Sequence, residues 1–414
     1  MTADSSRFRW LVLAAFVLSS TINFLDRQSL ATLQVLVRGE FHLSNQQYGW
    51  ILTAFSLAYA ASAPAAGWWI DRIGLAIAIA IAVGVWSVAG IATGFTSGLA
   101  GLVACRAILG MAEAGGIPAA GKAIYQYLRP AERALGNALN QAGVSLGMLL
   151  APPLATWIAL RYGWRQAFVA TGTLGLLWIP LWWGIARRAS WPSGWGNGER
   201  PGCARLDRLK IGPQVGQPAP QSLIRDRRLW AIALANALSM IGYSLWVNWT
   251  TLYLVDARHL SLKQAAWYAW IPPVFFALGG AAGGWGSLAL IERGSSAVAA
   301  RFRVCLAAAA LSLVNAAVPA APSLAWSMAG ISIGVFAVAA MSVNVYTLPL
   351  DIFGGRNAAF AISILVSSYG ISQAAISPWF GRIVDLHGYG PVTAIAAAAP
   401  LAACAVLRLA GASR

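Results

Sequence analysis

Asp26, Arg27, Arg106 and Glu113 each stand inside a long apolar run, where a charge is hardest to keep. An ionised side chain at the centre of a bilayer costs at least ~2.5–3.5 kcal/mol, so such groups face a cavity or one another. Two kinds of chemistry follow from the residue types. The guanidinium of Arg27 is a planar fork that fits a carboxylate through two parallel hydrogen bonds. Asp26 and Glu113 are acids in apolar surroundings, where desolvation favours the neutral form, and they are expected to bind and release protons near neutral pH.

Spacing constrains how these groups are presented. Arg106, Gly110 and Glu113 follow i, i+4, i+7 spacing and share one helix face, on which Gly110 leaves room for a close neighbour. Asp26 and Arg27 are adjacent, about 100° apart around a helix, and cannot point the same way. One arrangement turns Arg27 into a central cavity and Asp26 toward Arg106. In the competing reading the set is a purely structural group of salt bridges with no ligand.

The elements that carry these residues are membrane spans. The chain has 414 residues, 58% hydrophobic and only 10% charged, with 20 Trp and 42 Gly. A soluble chain carries roughly a quarter charged residues. Apolar segments fall near 10–36, 47–70, 75–95, 98–127, 134–160, 166–186, 230–255, 264–290, 302–319, 323–350, 358–382 and 391–409. Each reaches across roughly 30 Å of hydrocarbon at 1.5 Å per residue. The first follows Arg7 and Arg9 as a signal peptide would, but it lacks a small-x-small cleavage site and is read as span 1. Asp26 then lies about 15 Å from the outer end of span 1, and Arg106 and Glu113 roughly 12 and 22 Å along span 4.

Of the 29 basic residues, 20 fall on the side that holds both termini, 6 on the other and 3 (Arg27, Arg106 and Lys122) within spans. That excess places both termini in the cytoplasm, in a bacterial-type inner membrane. The net charge of +16 is thereby topological, and nucleic-acid binding is not expected.

Residues 187–229, rich in Pro, Gly and Arg, read as a cytoplasmic linker between an N-terminal six-helix bundle (1–186) and a C-terminal one (230–414). A faint repeat relates the two. Gly74 and Gly294 are offset by 220, Arg133 and Arg356 by 223, and Pro153 and Pro378 by 225. The expected fold is an all-α membrane protein of twelve transmembrane helices in two six-helix bundles, with a substrate site near the midplane between them.

The C-terminal half contributes no deep charge. Tyr243, Asn248, Thr250 and Thr251 in span 7, Asn344 in span 10, and Ser367, Ser368, Tyr369 and Gln373 in span 11 are neutral polar groups. They suit a polyhydroxylated ligand or, equally, hydrogen bonds between helices. The four Cys are scattered without a CxxC, and His42, His259 and His387 fall in outer loops with no nucleophile–base set. Neither a disulfide framework, a metal or cofactor site, nor an enzyme is expected.

The stretches NFLDRQSL (23–30), LSNQQYGWILTAFSLAYA (43–60), GWWIDRIG (67–74) and RAILGMAEAGGIPAAGKAI (106–124) together resemble the major facilitator superfamily. APPLATWIALRYGWRQAF (151–168) and GGWGSLALIERG (283–294) extend the likeness over nearly the whole chain. Within that superfamily they are most similar to the anion:cation symporter family and its hexuronate-transporter-like branch. The resemblance implies proton-coupled uptake of an organic anion by alternating access, in a chain that works as a monomer. It implies that Arg27 binds the substrate carboxylate, that Asp26 and Glu113 carry proton coupling, and that Tyr59 lines the site. Asn344 matches a polar position of span 10, Asn248 and Gln373 are the further substrate-side candidates, and Arg106 supports the charge network. Asp71 and Arg72 belong to the gating loop after span 2.

The chain departs from the family pattern in places. Gly74 is followed by Leu75 and Ala76 where a basic pair is usual. Gln141-Ala142-Gly143, Thr251 and Leu365-Val366 replace the usual Asn-Ser-Gly, Pro and glycine pair. The leading expectation is symport of a proton with a sugar-acid monoanion such as galacturonate or glucuronate. An organophosphate antiporter would want a second basic partner, which span 7 lacks. Drug efflux and a non-transporting membrane sensor are the remaining alternatives.

Overall fold

The second span of each half begins with the same device. Ser44 accepts from the Gln47 backbone N–H while Gln47 returns to the Ser44 N–H, and Ser261 and Gln264 form the same reciprocal cap. Both spans end at a glycine with positive φ, +88° at Gly74 and +90° at Gly294. A side chain with a Cβ would be strained at either position. Start and stop signals thus recur at the second span of each half, offset by 217 and 220 residues.

The computed structural model describes residues 3–128, 133–188, 224–353 and 355–412. Residues 189–223, most of the expected linker, lie outside the described residues. The first half comprises α1 (Ala3–Phe41), α2 (Asn45–Ile73), α3 (Leu75–Thr93), α4 (Leu99–Glu113), α5 (Gly116–Tyr127), α6 (Arg133–Tyr162) and α7 (Trp164–Arg188). The second comprises α8 (Arg227–Ser239), α9 (Ile241–Asp256), α10 (Leu262–Ala269), α11 (Ile271–Glu292), α12 (Ala297–Leu311), a 3-10 turn (Ser312–Ala317), α13 (Leu324–Phe353), α14 (Gly355–His387) and α15 (Tyr389–Leu409). Among the described residues there is no strand.

Ten helical segments among the described residues are long and apolar enough to cross a membrane. The other two expected spans coincide with α2 and α14, which are 29 and 33 residues long. Three expected spans are interrupted. Span 4 breaks after Glu113 into α4 and α5, because Gly115 and Gly116 favour no helix and Pro118 has no N–H for the Ala114 carbonyl. Span 8 breaks at Trp270 ahead of Pro272 and Pro273 for the same reason, and span 7 breaks at Met240.

The halves meet through α2 on α14, α1 on α9, and α6 on α10 and α11. At the end marked by the 42–44 turn they are closed. Asp385 of α14 accepts from the backbone N–H groups of Asn45 and Gln46 at 3.1 and 3.0 Å, and from the Asn45 amide at 2.7 Å. It thereby caps the first turn of α2 from the other half. Arg38 reaches Asp256 at 3.4 Å, Gln34 and Tyr48 donate to the Asn248 carbonyl, and Thr53 donates to the Ala374 carbonyl at 2.6 Å. Beneath this lies an apolar cluster that draws Leu30, Leu33 and Ile51 from one half and Trp246, Trp249 and Leu252 from the other.

Candidate functional site

Arg27 sits midway along α1 and is partly open, its side chain 26% exposed, while Glu113 at the end of α4 is fully covered. Glu113 Oε2 accepts from Nε of Arg27 at 3.0 Å and from Nη2 at 2.7 Å. The helix break after Glu113 makes it the last residue of α4. Three aromatic rings surround the guanidinium: Phe24 at 4.8 Å, Phe55 at 4.7 Å and Tyr59 at 5.2 Å from ring centroid to Cζ. Their π-faces favour a cation, which helps hold Arg27 charged away from bulk water. Gly110, on the face shared with Glu113, lies so close to the Phe55 backbone carbonyl that a Cβ there would clash. That contact draws α2 onto α4 and sets Phe55 and Tyr59 against Arg27.

From the second half, Tyr243 of α9 and Tyr369 of α14 lie within the electrostatic reach of Arg27 and pack edge to face with centroids 6.1 Å apart. Tyr346 of α13 lies near Tyr59 and Tyr243. The rings from both halves therefore gather around one guanidinium at the junction of the bundles.

Asp26 takes the opposite direction. It is 1% exposed, and its Oδ1 accepts from Thr171 of α7 at 2.8 Å. Its Oδ2 has no hydrogen-bond partner among the described residues and lies against Gly90 of α3, where an added Cβ would come to 2.7 Å. Asp26 thus makes no hydrogen bond to Arg106 among the described residues, although Arg106 is the charge that acts on it most strongly. Arg106 is 3% exposed and stacks over Phe168 at 5.8 Å, its Nε without a partner, and acts on Asp26 through its field alone. The carboxylate that reaches a guanidinium is Glu113, and the guanidinium is Arg27.

The remaining sequence candidates are distributed. Asn344 is fully buried and donates to the Gly283 carbonyl at 3.0 Å and the Ala340 carbonyl at 2.9 Å, so it joins α13 to α11 and is not brought to Arg27. The Asn248 amide donates to Ser244 in its own helix at 2.8 Å. Gln373 is half-buried on α14, one turn beyond Tyr369 on the same face. Arg72 is exposed at the end of α2, where Lys122 donates to the Ile70 carbonyl at 3.1 Å; the side chain of Asp71 lies outside the described residues. Sequence reasoning did not single out Phe24, Phe55, Thr171 or Tyr346. The i−3 spacing of Phe24 from Arg27 was the available signal for the first.

No group of three His, Cys, Asp or Glu that could hold a metal occurs among the described residues. The family model of the Major Facilitator Superfamily matches residues 16–368. The chain belongs to this superfamily. Among its relatives, the hexuronate transporter of Escherichia coli K12 is 28% identical over 394 residues, 94% of this chain and 90% of the relative. The galacturonate transporter of Dickeya chrysanthemi is 29% identical over 280 residues, 67% of this chain and 81% of the relative. The solved structure of a bacterial homologue of the human lysosomal transporter Spinster, inward-facing and unoccupied, aligns at TM-score 0.74 and 22% identity, covering 97% of this chain and 95% of that one. A major facilitator chain of this kind is a multi-pass membrane transporter, and the Arg27 site sits where its two bundles meet.

Proposed function

We propose that this transporter carries a sugar-acid monoanion, a hexuronate such as galacturonate or glucuronate first among them, together with a proton. What carries the reading is the Arg27–Glu113 pair. Glu113 holds the Nε–Nη2 edge of Arg27, the edge a substrate carboxylate would occupy in a bidentate pair. Protonation of Glu113 removes the charge that competes for that edge, so the anion binds a site that has already taken a proton. Asp26, buried on the other side of α1 against Thr171, is a second proton carrier out of contact with the substrate. The names of the relatives point to the same class of cargo. Tyr59, Tyr243, Tyr369 and Gln373 line the substrate, with hydroxyls and an amide for a hydroxylated chain and ring faces for its C–H surface.

By the basic-residue excess, the closed end with Arg38, Asp256 and Asp385 faces outward, both termini lie in the cytoplasm, and the chain rests inward-facing in an inner membrane. Twelve spans working as a monomer complete the reading, with rocking between the bundles along α1–α9, α2–α14 and α6–α10/α11 giving alternating access. One arginine at the site, with Arg106 turned to Phe168, suits a monoanion better than a phosphate dianion. Proteoliposome uptake of labelled galacturonate, glucuronate, gluconate and glycerol phosphate, with and without an inward proton gradient, tests it. Gradient-stimulated uptake of the hexuronates is expected; uptake indifferent to the gradient sinks the coupling, and preference for glycerol phosphate sinks the substrate class.

A further inference from the structure

A cavity lies beside the Arg27 site, lined by α1, α6, α9, α10, α11 and α13. Tyr243 is the wall the two share, since it lines this cavity and also lies in the field of Arg27. Gln28, Thr32 and Thr251 line it and are 8%, 2% and 5% exposed. None of the three side chains makes a hydrogen bond among the described residues, although an unpaired polar group in an apolar interior is costly. The backbone adds acceptors to this set. Pro152 has no N–H for the Met148 carbonyl, and Pro273 has none for the Ala269 carbonyl; all four residues line the cavity. In a membrane, helix-breaking prolines are tolerated where the freed carbonyls find another partner or face a cavity.

We propose that this cavity is a hydroxyl-binding subsite, which takes neighbouring hydroxyls of the ligand whose carboxylate Arg27 holds; the inference rests on the sugar-acid reading above. The chemistry of the lining selects that occupant. No charged residue lines the cavity among the described residues, so nothing there recruits an ion or a second carboxylate. Two carbonyls, the Thr32, Thr251 and Tyr243 hydroxyls and the Gln28 amide offer more acceptor lone pairs than donor hydrogens, which suits hydroxyl groups on the ligand. The space admits about two water-sized groups, which matches a diol and excludes a second ring. Thr32 is about 7.5 Å along α1 from Arg27 and about 140° around it, so a ligand held by Arg27 reaches it past Tyr243, the wall the two spaces share. Pro152, Phe276 and Trp246 supply apolar walls for the intervening C–H groups.

The test compares two six-carbon acids on the full-length protein in detergent: galacturonate, which carries hydroxyls, and hexanoate, which does not. Thr32→Val and Thr251→Val keep the shape and remove one hydroxyl each. Each is expected to weaken galacturonate binding about fivefold while leaving hexanoate binding unchanged. Thr32→Ser and Thr251→Ser, which retain the hydroxyl, are expected to bind galacturonate as the natural protein does. Arg27→Lys is expected to weaken both acids. Equal losses for the two acids in the valine variants, or no loss for either, overturn the subsite. If the natural protein, still folded by thermal unfolding, binds none of the hydroxylated acids, the sugar-acid reading fails first. Normal binding by the natural protein together with unaltered valine variants removes the subsite alone.

Discussion

Glu113 Oε2 lies 2.7 Å from Nη2 and 3.0 Å from Nε of Arg27, across one of the two edges of the guanidinium that can make paired hydrogen bonds. A substrate carboxylate on that Nε–Nη2 edge and ionised Glu113 therefore exclude each other, and ionised Glu113 already neutralises the charge the substrate needs. The sign of the pH dependence follows. As pH rises and Glu113 ionises, substrate binding weakens; as pH falls, the edge is freed and binding strengthens. Glu113→Gln, which mimics the protonated acid, is expected to bind substrate with little pH dependence, to sustain counterflow, and to lose gradient-driven accumulation. Equilibrium binding from mildly acidic to mildly alkaline pH, together with both transport modes, checks this. A Glu113→Gln protein that accumulates substrate normally would remove Glu113 from coupling.

Arg27→Lys tests the fork itself. A lysine ammonium keeps the charge but offers a point donor, without the paired Nε and Nη2. One charge-assisted hydrogen bond is worth roughly 1.5–3 kcal/mol, so substrate affinity is expected to fall about tenfold or more. Thermal unfolding should change less than binding does, because Arg27 is partly open to the cavity. Affinity within twofold of the natural protein would reject the carboxylate role.

The charged residues were legible because a charge in an apolar run can be recognised without any knowledge of packing. The 100° step also separated Asp26 from Arg27 correctly. What it left open was which of the two turns to α4, since that depends on the rotation of α1 about its own axis. Rotation is fixed by distant packing: Trp178 of α7 donates to the Ala15 carbonyl at 2.8 Å, and Gly90 leaves the hollow that receives Asp26. Asn344 illustrates the same limit, because a polar residue in a span reads alike whether it faces a ligand or the Gly283 carbonyl of the next helix. The helix breaks had signals in Pro118, Pro272 and Pro273 that the span boundaries did not use. Asp385 had none, since its partner is the backbone at the start of α2.

Thr171 is the only hydrogen-bond donor to Asp26 among the described residues. Thr171→Val leaves a buried carboxyl with no partner, at a cost of about 1–3 kcal/mol. The expected result is a lower unfolding temperature and impaired proton-driven uptake, with substrate binding at Arg27 retained. Thr171→Ser should restore both. Loss of substrate binding in Thr171→Val would show that the two sides of α1 are not separate.

Asp385 offers a last test, on the conformational equilibrium. Its carboxylate accepts two backbone N–H groups at the start of α2 and the Asn45 amide, and so ties the bundles together at the 42–44 end. Asp385→Asn removes the charge that complements the helix N-terminus and replaces one acceptor with a donor, which faces N–H groups with nothing to accept. A change of about 1.4 kcal/mol shifts a two-state equilibrium tenfold, and the loss of two charge-assisted bonds is at least of that order. Paired spin labels on exposed positions of the 42–44 and 388–390 turns should report a larger population of separated bundles in Asp385→Asn than in the natural protein. The Arg38–Asp256 contact at 3.4 Å is looser and more exposed, so Asp256→Asn should shift the distribution less. An unchanged distance distribution in Asp385→Asn would mean that the apolar cluster of Leu30, Leu33, Trp246 and Trp249 and the remaining hydrogen bonds keep this end shut without Asp385.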